Sequence, residues 1–421
     1  MNVAVIGAGK MGLPLAAVFA SRGATVTACD ANRGIVDSIN SGRAPFEEPG
    51  LDELVSAGAA NKKLRATTDN RAAIGEADVV VIIVPVMLSA DKTADMSVMH
   101  SVADDIAASL RRGSMVSFET TLPVGGTRLL GDRIARGGLK PGVDFDLVFS
   151  PERVKSQFVL RHLFDNPKIV GGVTTSAAKR AEEFYAEFLG APVTNVGTLE
   201  SAELVKVVGM VYRDVNIALA NELANYASDA GIDFAAVREA ANTDGEAAIL
   251  LPGIGVGGHC TPVYPYFLLQ DARAREIDMR ITELARTTNE AQPSVMLNRL
   301  GDVKGARVAI LGVGFRPQVK ETAYSPAFAL RDELAKRGAT VTVVDPLYSD
   351  EELRALGLEP GQPEDAEIIV LNTAHASFAS LDFRKLRAGV LRSVLDGRDF
   401  WDPSTVKDAG VDYHGVMRSS S

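Results

Sequence analysis

Short apolar runs rich in Val and Ile punctuate the first half of the chain, each bounded by glycine or a polar turn. Val3–Ile6, Thr25–Ala28, Val79–Val84, Met115–Phe118 and Leu147–Phe149 are apolar without alternation, the character of parallel strands covered on both faces. The stretches between them are long enough for crossover helices, so this part predicts a doubly wound α/β domain. The pattern restarts at Arg307–Gly312, Thr340–Val344 and Ile368–Leu371, predicting a second α/β domain. Between the two, the texture changes to one long helical pattern from Thr198 to about Ala230. Thr198 is its candidate N-cap, Glu200 and Glu203 suit the positive helix start, and Gly231 marks the end. Apolar residues spread around this helix predict that it packs between domains or against a second subunit. A shorter helical stretch is expected over about Tyr266–Thr287, and the tail Arg418–Ser421 is expected to fray.

Composition narrows the class. The chain has 421 residues, enough for two or three domains. Its net charge of −10 argues against a nucleic-acid binder, which would show a basic face. The two cysteines, Cys29 and Cys260, are too few for a disulfide framework and point to a reducing compartment. No apolar run approaches the roughly 20 residues that span a bilayer, and the chain enters a strand at Asn2–Ile6. The expectation is a cytoplasmic protein with no membrane or nucleic-acid partner and no metal.

Two segments carry candidate chemistry. Gly7-x-Gly9-x-x-Gly12 follows the first strand and opens a helix, with Met11 inside the turn. The first glycine makes the turn, the second lets a pyrophosphate approach, and the third lets helix and strand pack. Asp30 ends the second strand, where a carboxylate binds a ribose 2′-hydroxyl and favours NAD; Arg33 keeps NADP open as a lesser option. Val84 and Pro85 close a later strand and are expected to border the nicotinamide. The other segment is Gly253-Ile-Gly-Val-Gly-Gly-His-Cys260-Thr-Pro262. Cys260 is a candidate nucleophile, with Gly257 and Gly258 letting backbone approach a substrate and their N–H groups steadying negative charge. A small buried cysteine in a tight loop is the plain alternative. Gly312-Val-Gly314-Phe-Arg316 lacks a third glycine at the right spacing, and Pro317 follows at once. It lines either a nucleotide or phosphate site of another kind, with Arg316 and Lys320 as its charges, or a structural turn.

These motifs, taken with Thr120-Thr-Leu-Pro123, Ser150-Pro-Glu-Arg153 and Ala202-Glu-x-x-Lys206 in the same order, make the whole chain resemble the UDP-glucose/GDP-mannose dehydrogenases. The resemblance implies an α/β fold: two Rossmann-like doubly wound domains joined by a central long-helix dimerisation element. The expected division is an NAD-binding domain over 1–195, a central helical domain with the cysteine loop over 196–298, and a nucleotide-sugar-binding domain over 299–421. It further implies a homodimer that oxidises the sugar C6 alcohol of a UDP-sugar to a carboxylate with NAD. Cys260 would form a thiohemiacetal and then a thioester, Lys206 would act as acid/base or oxyanion partner, and Thr121 and Glu152 would hold a water and the reacting groups. Thr121 would also touch the cofactor, and Glu152, Arg153, Val154 and Lys206 the substrate. Ser-Pro-Glu-Arg-Val and Gly-Gly-His-Cys resemble the wording of the UDP-N-acetylhexosamine branch, such as the UDP-N-acetylmannosamine dehydrogenases, which serve polysaccharide biosynthesis.

Three positions depart from the family pattern. Tyr264 stands four residues after Cys260 where the family has Asp, and Met210 four residues after Lys206 where it has Asn. Asp244–Ile249 lacks the arginine that many relatives carry before the glycine loop. The first two put the second oxidation or the thioester hydrolysis in question. The alternatives are therefore a two-electron enzyme that stops at the 6-aldehyde and a non-catalytic nucleotide-sugar or NAD binder.

Overall fold

The Val/Ile runs become the centres of two parallel sheets, one in each of two compact units. The computed structural model describes residues 1–154 and 157–418. One unit is Met1–Gly209 with Tyr266–Glu276; the other is Met210–Pro265 with the chain from Ile277 onward.

In the first unit the strands of the main sheet are β1 (Asn2–Ile6), β2 (Thr25–Cys29), β3 (Leu64–Thr67), β4 (Val79–Ile82), β5 (Met115–Phe118), β6 (Asp146–Phe149), β7 (Lys168–Gly172) and β8 (Val193–Thr198). Their spatial order is β3-β2-β1-β4-β5-β6-β7-β8. The first six follow the dinucleotide-fold order 3-2-1-4-5-6, which places the topological switch between β1 and β4. β3, β7 and β8 are additions to the expected strands, and β7 runs antiparallel to β6. The strand predicted over Val79–Val84 ends at Ile82, because residues 83–86 leave the sheet to line its carboxyl edge. Phe19, Phe184, Tyr185 and Phe188 fill one side with ring centroids 5.0–6.2 Å apart, a spacing that adds to plain area burial.

In the second unit β9 (Arg307–Leu311), β10 (Thr340–Val344), β11 (Ile368–Leu371), β12 (Ser393–Asp396) and β13 (Asp412–Gly415) are all parallel, in the order β10-β9-β11-β12-β13. Each unit thus holds a doubly wound α/β sheet. The tail 419–421 lies outside the described residues.

The long helix runs Leu199–Asp229. Thr198 caps it as expected, its Oγ1 accepting from the Ser201 N–H at 3.1 Å, and Gly231 ends it at φ +70°. Leu204, Val208, Tyr212, Leu219 and Tyr226 along it are exposed. The stretch predicted as one helix over Tyr266–Thr287 is instead two, Tyr264–Ala274 and Arg280–Leu297, broken where Glu276 turns left-handed at φ +58°. Among the described residues, no helix is long and apolar enough to cross a membrane.

Candidate active site and cofactor cradle

The cofactor cradle lies at the β1–β4 switch. Gly7 has φ +103°, and its N–H donates to Cys29 O at 2.8 Å. A Cβ on Gly12 would fall 1.9 Å from Gly7 O, so only glycine lets the helix Gly12–Ser21 start against the turn. A Cβ on Gly9 would meet nothing within 4 Å, which leaves open space on the side from which a pyrophosphate approaches. The helix has Met11 as its N-cap, with no side-chain cap and no acidic residue in its first turn, which suits an anion at that end. Asp30 stands at the end of β2, with Oδ2 accepting from the Ala8 N–H at 3.0 Å and Oδ1 from the Asn32 N–H at 2.9 Å. Arg33 begins the next helix and is exposed; Val84 and Pro85 follow β4, and Val84 O accepts from Thr120 Oγ1 at 2.6 Å. These residues fit a dinucleotide.

Three of the expected catalytic residues lie in this unit beyond the carboxyl ends of β5 and β6, and two of them, Glu152 and Lys206, are in contact. Thr121 is buried in the loop between β5 and the helix Gly126–Ile134. Glu152 follows β6, and its N–H donates to Glu119 O at 3.1 Å. Lys206, buried on the long helix, donates from Nζ to Glu152 O at 2.6 Å. Glu152 also turns its carboxylate back onto the Val154 N–H. Arg153 is exposed and reaches Pro167 O at 3.5 Å, while Val154 packs against the core.

In the second unit Cys260 is half-buried, and its carbonyl accepts from the N–H groups of Val263 (3.1 Å) and Tyr264 (2.9 Å), starting the following helix. The glycines before it answer a packing demand. A Cβ on Gly255 would lie 2.9 Å from Pro326, and one on Gly257 2.6 Å from the Phe315 Cβ. Gly258 has φ +101°, and its N–H is already given to Ala323 O at 2.8 Å. The expectation that this N–H steadies developing negative charge is therefore corrected: it holds the loop. Arg316 is half-buried, and Lys320 is exposed, paired with Glu352 at 2.5 Å and lying over the Tyr348 ring. Met210 and Tyr264 are both half-buried. Cys29, by contrast with Cys260, is enclosed, and burial pushes its thiol up to about 12, which makes it unreactive.

The sequence matches the models of one known family along most of its length. The UDP-glucose/GDP-mannose dehydrogenase models match in order: the NAD binding domain over 1–189, the central domain over 200–291 and the UDP binding domain over 309–403. The chain belongs to this family. It is an NAD-dependent nucleotide-sugar dehydrogenase by membership, and NAD is its cofactor. Among relatives of this dehydrogenase, the NDP-N-acetyl-D-galactosaminuronic acid dehydrogenase of Ralstonia nicotianae is 33% identical, over 96% of this chain and 97% of that one. The UDP-N-acetyl-D-mannosamine dehydrogenase of Pyrococcus horikoshii is 33% identical over 99% of both. A solved structure of the UDP-D-ManNAc dehydrogenase from Pyrococcus horikoshii superposes with a TM-score of 0.90 at 31% identity, each chain covered fully. A UDP-glucose dehydrogenase from Pyrobaculum islandicum gives 0.87 at 26% identity, over 99% of this chain and 98% of that one.

Sequence reasoning missed several polar groups that build the dehydrogenase's candidate site. Glu119 and Lys168 form a buried ion pair at 2.5 Å, and the Tyr185 hydroxyl donates to Glu119 at 2.7 Å. Burial pushes the Glu119 carboxyl up, against the pull of Lys168 and Tyr185. Glu203, read from the sequence as a helix-dipole residue, instead accepts from the N–H groups of Gly125 (2.6 Å) and Thr127 (2.7 Å). The only sequence sign of this was its place in Ala202-Glu-x-x-Lys206. In the second unit, buried Asn221 and Gln292 take both backbone groups of Gly253, at 2.9 and 3.1 Å, and so pin the start of the cysteine loop. Arg398, whose guanidinium burial lowers to about 10, donates to Asn372 O at 2.6 Å beyond the carboxyl end of β11.

Proposed function

We propose that this enzyme oxidises the C6 alcohol of a UDP-N-acetylhexosamine to the uronate through Cys260, as a cytoplasmic homodimer serving polysaccharide biosynthesis. The observation that carries the chemistry is the buried Lys206 ammonium, 2.6 Å from Glu152 O in the unit that also holds Thr121 and the NAD cradle. NAD supplies the hydride acceptor when bound. Lys206 steadies the developing alkoxide with its positive charge while a water held by Thr121 and Glu152 takes the C6 hydroxyl proton as the aldehyde forms. The Cys260 thiolate then adds to the aldehyde carbon, and a proton settles the thiohemiacetal oxygen. A second two-electron oxidation gives the thioester, and water cleaves it, returning the thiol. The balance is one alcohol, two NAD and one water giving one carboxylate, two NADH and three protons.

Asp30 binds the adenosine ribose in this reading, with Gly7, Gly9, Met11 and Gly12 around the pyrophosphate, and Arg33, Val84 and Pro85 at the cradle edge. Arg153 and Val154 border the sugar, the Gly257–Gly258 backbone backs it, and Arg316, Lys320 and Arg398 supply charge for the diphosphate. The three-part division at 195 and 298 follows the roles of cofactor binding, dimerisation and nucleotide-sugar binding. The dimer is supported by Leu204, Val208, Tyr212, Leu219 and Tyr226, apolar or aromatic side chains left exposed along one helix. The choice of an N-acetylhexosamine is supported by relatives named for such sugars.

A second reading, motivated by Tyr264 and Met210, stops at the 6-aldehyde. The test is NADH released per sugar at completion, with UDP-N-acetylmannosamine, UDP-N-acetylgalactosamine, UDP-N-acetylglucosamine and UDP-glucose. Two per sugar with an N-acetylated substrate supports the full oxidation. One per sugar selects the aldehyde-forming reading, and a preference for UDP-glucose overturns the substrate assignment.

A further inference from the structure

Glu203 is fully buried, yet both of its carboxylate oxygens point at backbone of a different element. Oε2 accepts from the Gly125 N–H at 2.6 Å and Oε1 from the Thr127 N–H at 2.7 Å. Gly125, left-handed at φ +85°, is the N-cap of the helix Gly126–Ile134 and has no side chain to cap it. Glu203 therefore supplies from the long helix the cap that this helix lacks. The segment it secures is the end of the loop bearing Thr121; the start of that loop is tied by Thr120 Oγ1 to Val84 O. Three residues on and over the same helix face, Lys206 holds Glu152 O. One turn of helix thus grips both segments that carry the candidate reacting groups.

We propose that Glu203, as a carboxylate, is a positioning residue that clamps the Thr121 loop to the Lys206 turn, and that protonation opens this clamp and lowers turnover in mild acid. The proposal rests on the assignment of Thr121, Glu152 and Lys206 made above. A carboxylate accepts both N–H groups at once; a protonated carboxyl presents a hydroxyl to one of them and keeps a single good acceptor. Burial pushes this carboxyl up to about 7, opposed by the hydrogen bonds from Thr127 and Gly125, so the change falls in the working range. The charged groups around it are few. From its own helix Glu200 acts on it; from the capped helix Arg128 does, and that guanidinium is taken by Glu200 at 2.7 Å. Arg275, from the chain that follows the helix Tyr264–Ala274, acts on Glu200. Its titration is therefore set mainly by burial, opposed by the hydrogen bonds from Thr127 and Gly125, with Glu200 adding a smaller upward push.

The experiment compares full-length wild type, Glu203→Gln and Glu203→Asp. NADH production with NAD and UDP-N-acetyl-D-mannosamine gives kcat from pH 5.5 to 9. Hydrogen exchange over residues 122–130, corrected for intrinsic rates, is followed over the same range. Wild type is expected to lose kcat below about pH 7, and protection at Gly125 and Thr127 should fall together with it. In Glu203→Gln the amide offers one acceptor and one donor, so kcat should sit about 10- to 100-fold low, a displaced-group effect, with the acid limb gone. Glu203→Asp keeps the charge but falls short of one N–H; it should be slower with its acid limb retained, and it serves should the Gln variant not fold. An acid limb unchanged in Glu203→Gln, or protection that does not respond to pH in wild type, overturns the clamp. Lys206→Ala is run alongside: wild-type turnover in that variant means that the site assignment has failed, while the exchange data still decide whether Glu203 holds the loop.

Discussion

Removing Lys168 should destabilise the cofactor unit at a buried ion pair, and the loss should grow with pH. Lys168 and Glu119 are 6% and 1% exposed, with Nζ 2.5 Å from Oε2. The other carboxylate oxygen takes the Tyr185 hydroxyl at 2.7 Å, and Tyr185 in turn meets Ser117 Oγ at 2.8 Å. Lys168→Met keeps most of the stem's packing but strips Glu119 of its counter-charge. Breaking a buried pair from one side costs about 3–5 kcal/mol, because the remaining charge is left without compensation. For a unit of about 220 residues, that is a fall of about 6–20 °C in Tm.

The pH dependence follows from the direction of the Glu119 shift. Burial already raises this carboxyl above its unfolded value, and Lys168 is the first of the groups pulling it back. Without Lys168 it rises further. A carboxyl raised by folding contributes stability that is fully present below its unfolded pKa and is lost as pH rises through the folded one. The deficit of Lys168→Met against wild type is therefore smallest near pH 5 and largest near pH 8. Scanning calorimetry at both pH values measures it, with the double variant Glu119→Gln/Lys168→Met as control for packing. The double variant should recover most of the loss at pH 8. A Tm within 2 °C of wild type at pH 8, or a deficit larger at pH 5, would refute the argument that the pair's charge balance supports this unit.

Two further outcomes bear on the site. Cys260→Ser should abolish uronate formation while NAD affinity, measured by titration calorimetry, stays at the wild-type value; a parallel loss of NAD binding would make the cysteine structural. Asp30→Ala removes an acceptor of two backbone N–H groups as well as the proposed ribose contact, so the Kd for NAD should rise about 10-fold or more, and an unchanged Kd would remove Asp30 from the cofactor site.

What the sequence made legible was local. The Gly7–Gly12 turn, Asp30, the Val/Ile strands and both ends of the long helix carry their causes within a few residues, in a glycine with no room for a Cβ or a threonine that caps. What stayed hidden depends on distant chain. The strand Lys168–Gly172 ends in two glycines and begins with a charge, a poor strand on propensity. Its glycines are required because a Cβ on Gly171 would sit 2.0 Å from Thr198 O and one on Gly172 2.4 Å from Ala178 N. The helix Arg280–Leu297 passes through Pro293, where a pattern-based reading stops short, and the break before it falls at Glu276, which carries no turn signature. Glu203 and Lys168 find partners 49 or more residues away, so their chemistry cannot be read from spacing.

The same reasoning explains why two nearly identical turns in this chain do different things. In the first unit Gly7 N donates to Cys29 O, Ala8 N to Asp30 Oδ2 and Asn32 N to Asp30 Oδ1, at 2.8, 3.0 and 2.9 Å. In the second, Gly312 N donates to Val344 O, Val313 N to Asp345 Oδ2 and Leu347 N to Asp345 Oδ1, at 2.8, 2.7 and 2.9 Å. The backbone device is shared down to its carboxylate. What differs is the space around it. Gly9 faces nothing within 4 Å, whereas Gly314 is hemmed by the carbonyls of Val319 and Glu321, and its own carbonyl accepts from Asn372 Nδ2 at 3.0 Å. Asp345 is closed over by buried His375, with Nε2 3.3 Å from Oδ2. The next helix begins only at Pro326, so no row of N–H groups is presented to a phosphate at this turn. The first turn is open on the side a dinucleotide must enter, and the second is a filled corner that fixes β9 to β10 and β11. A glycine fingerprint with its acidic residue therefore does not by itself make a cofactor site; the empty side of the second glycine does.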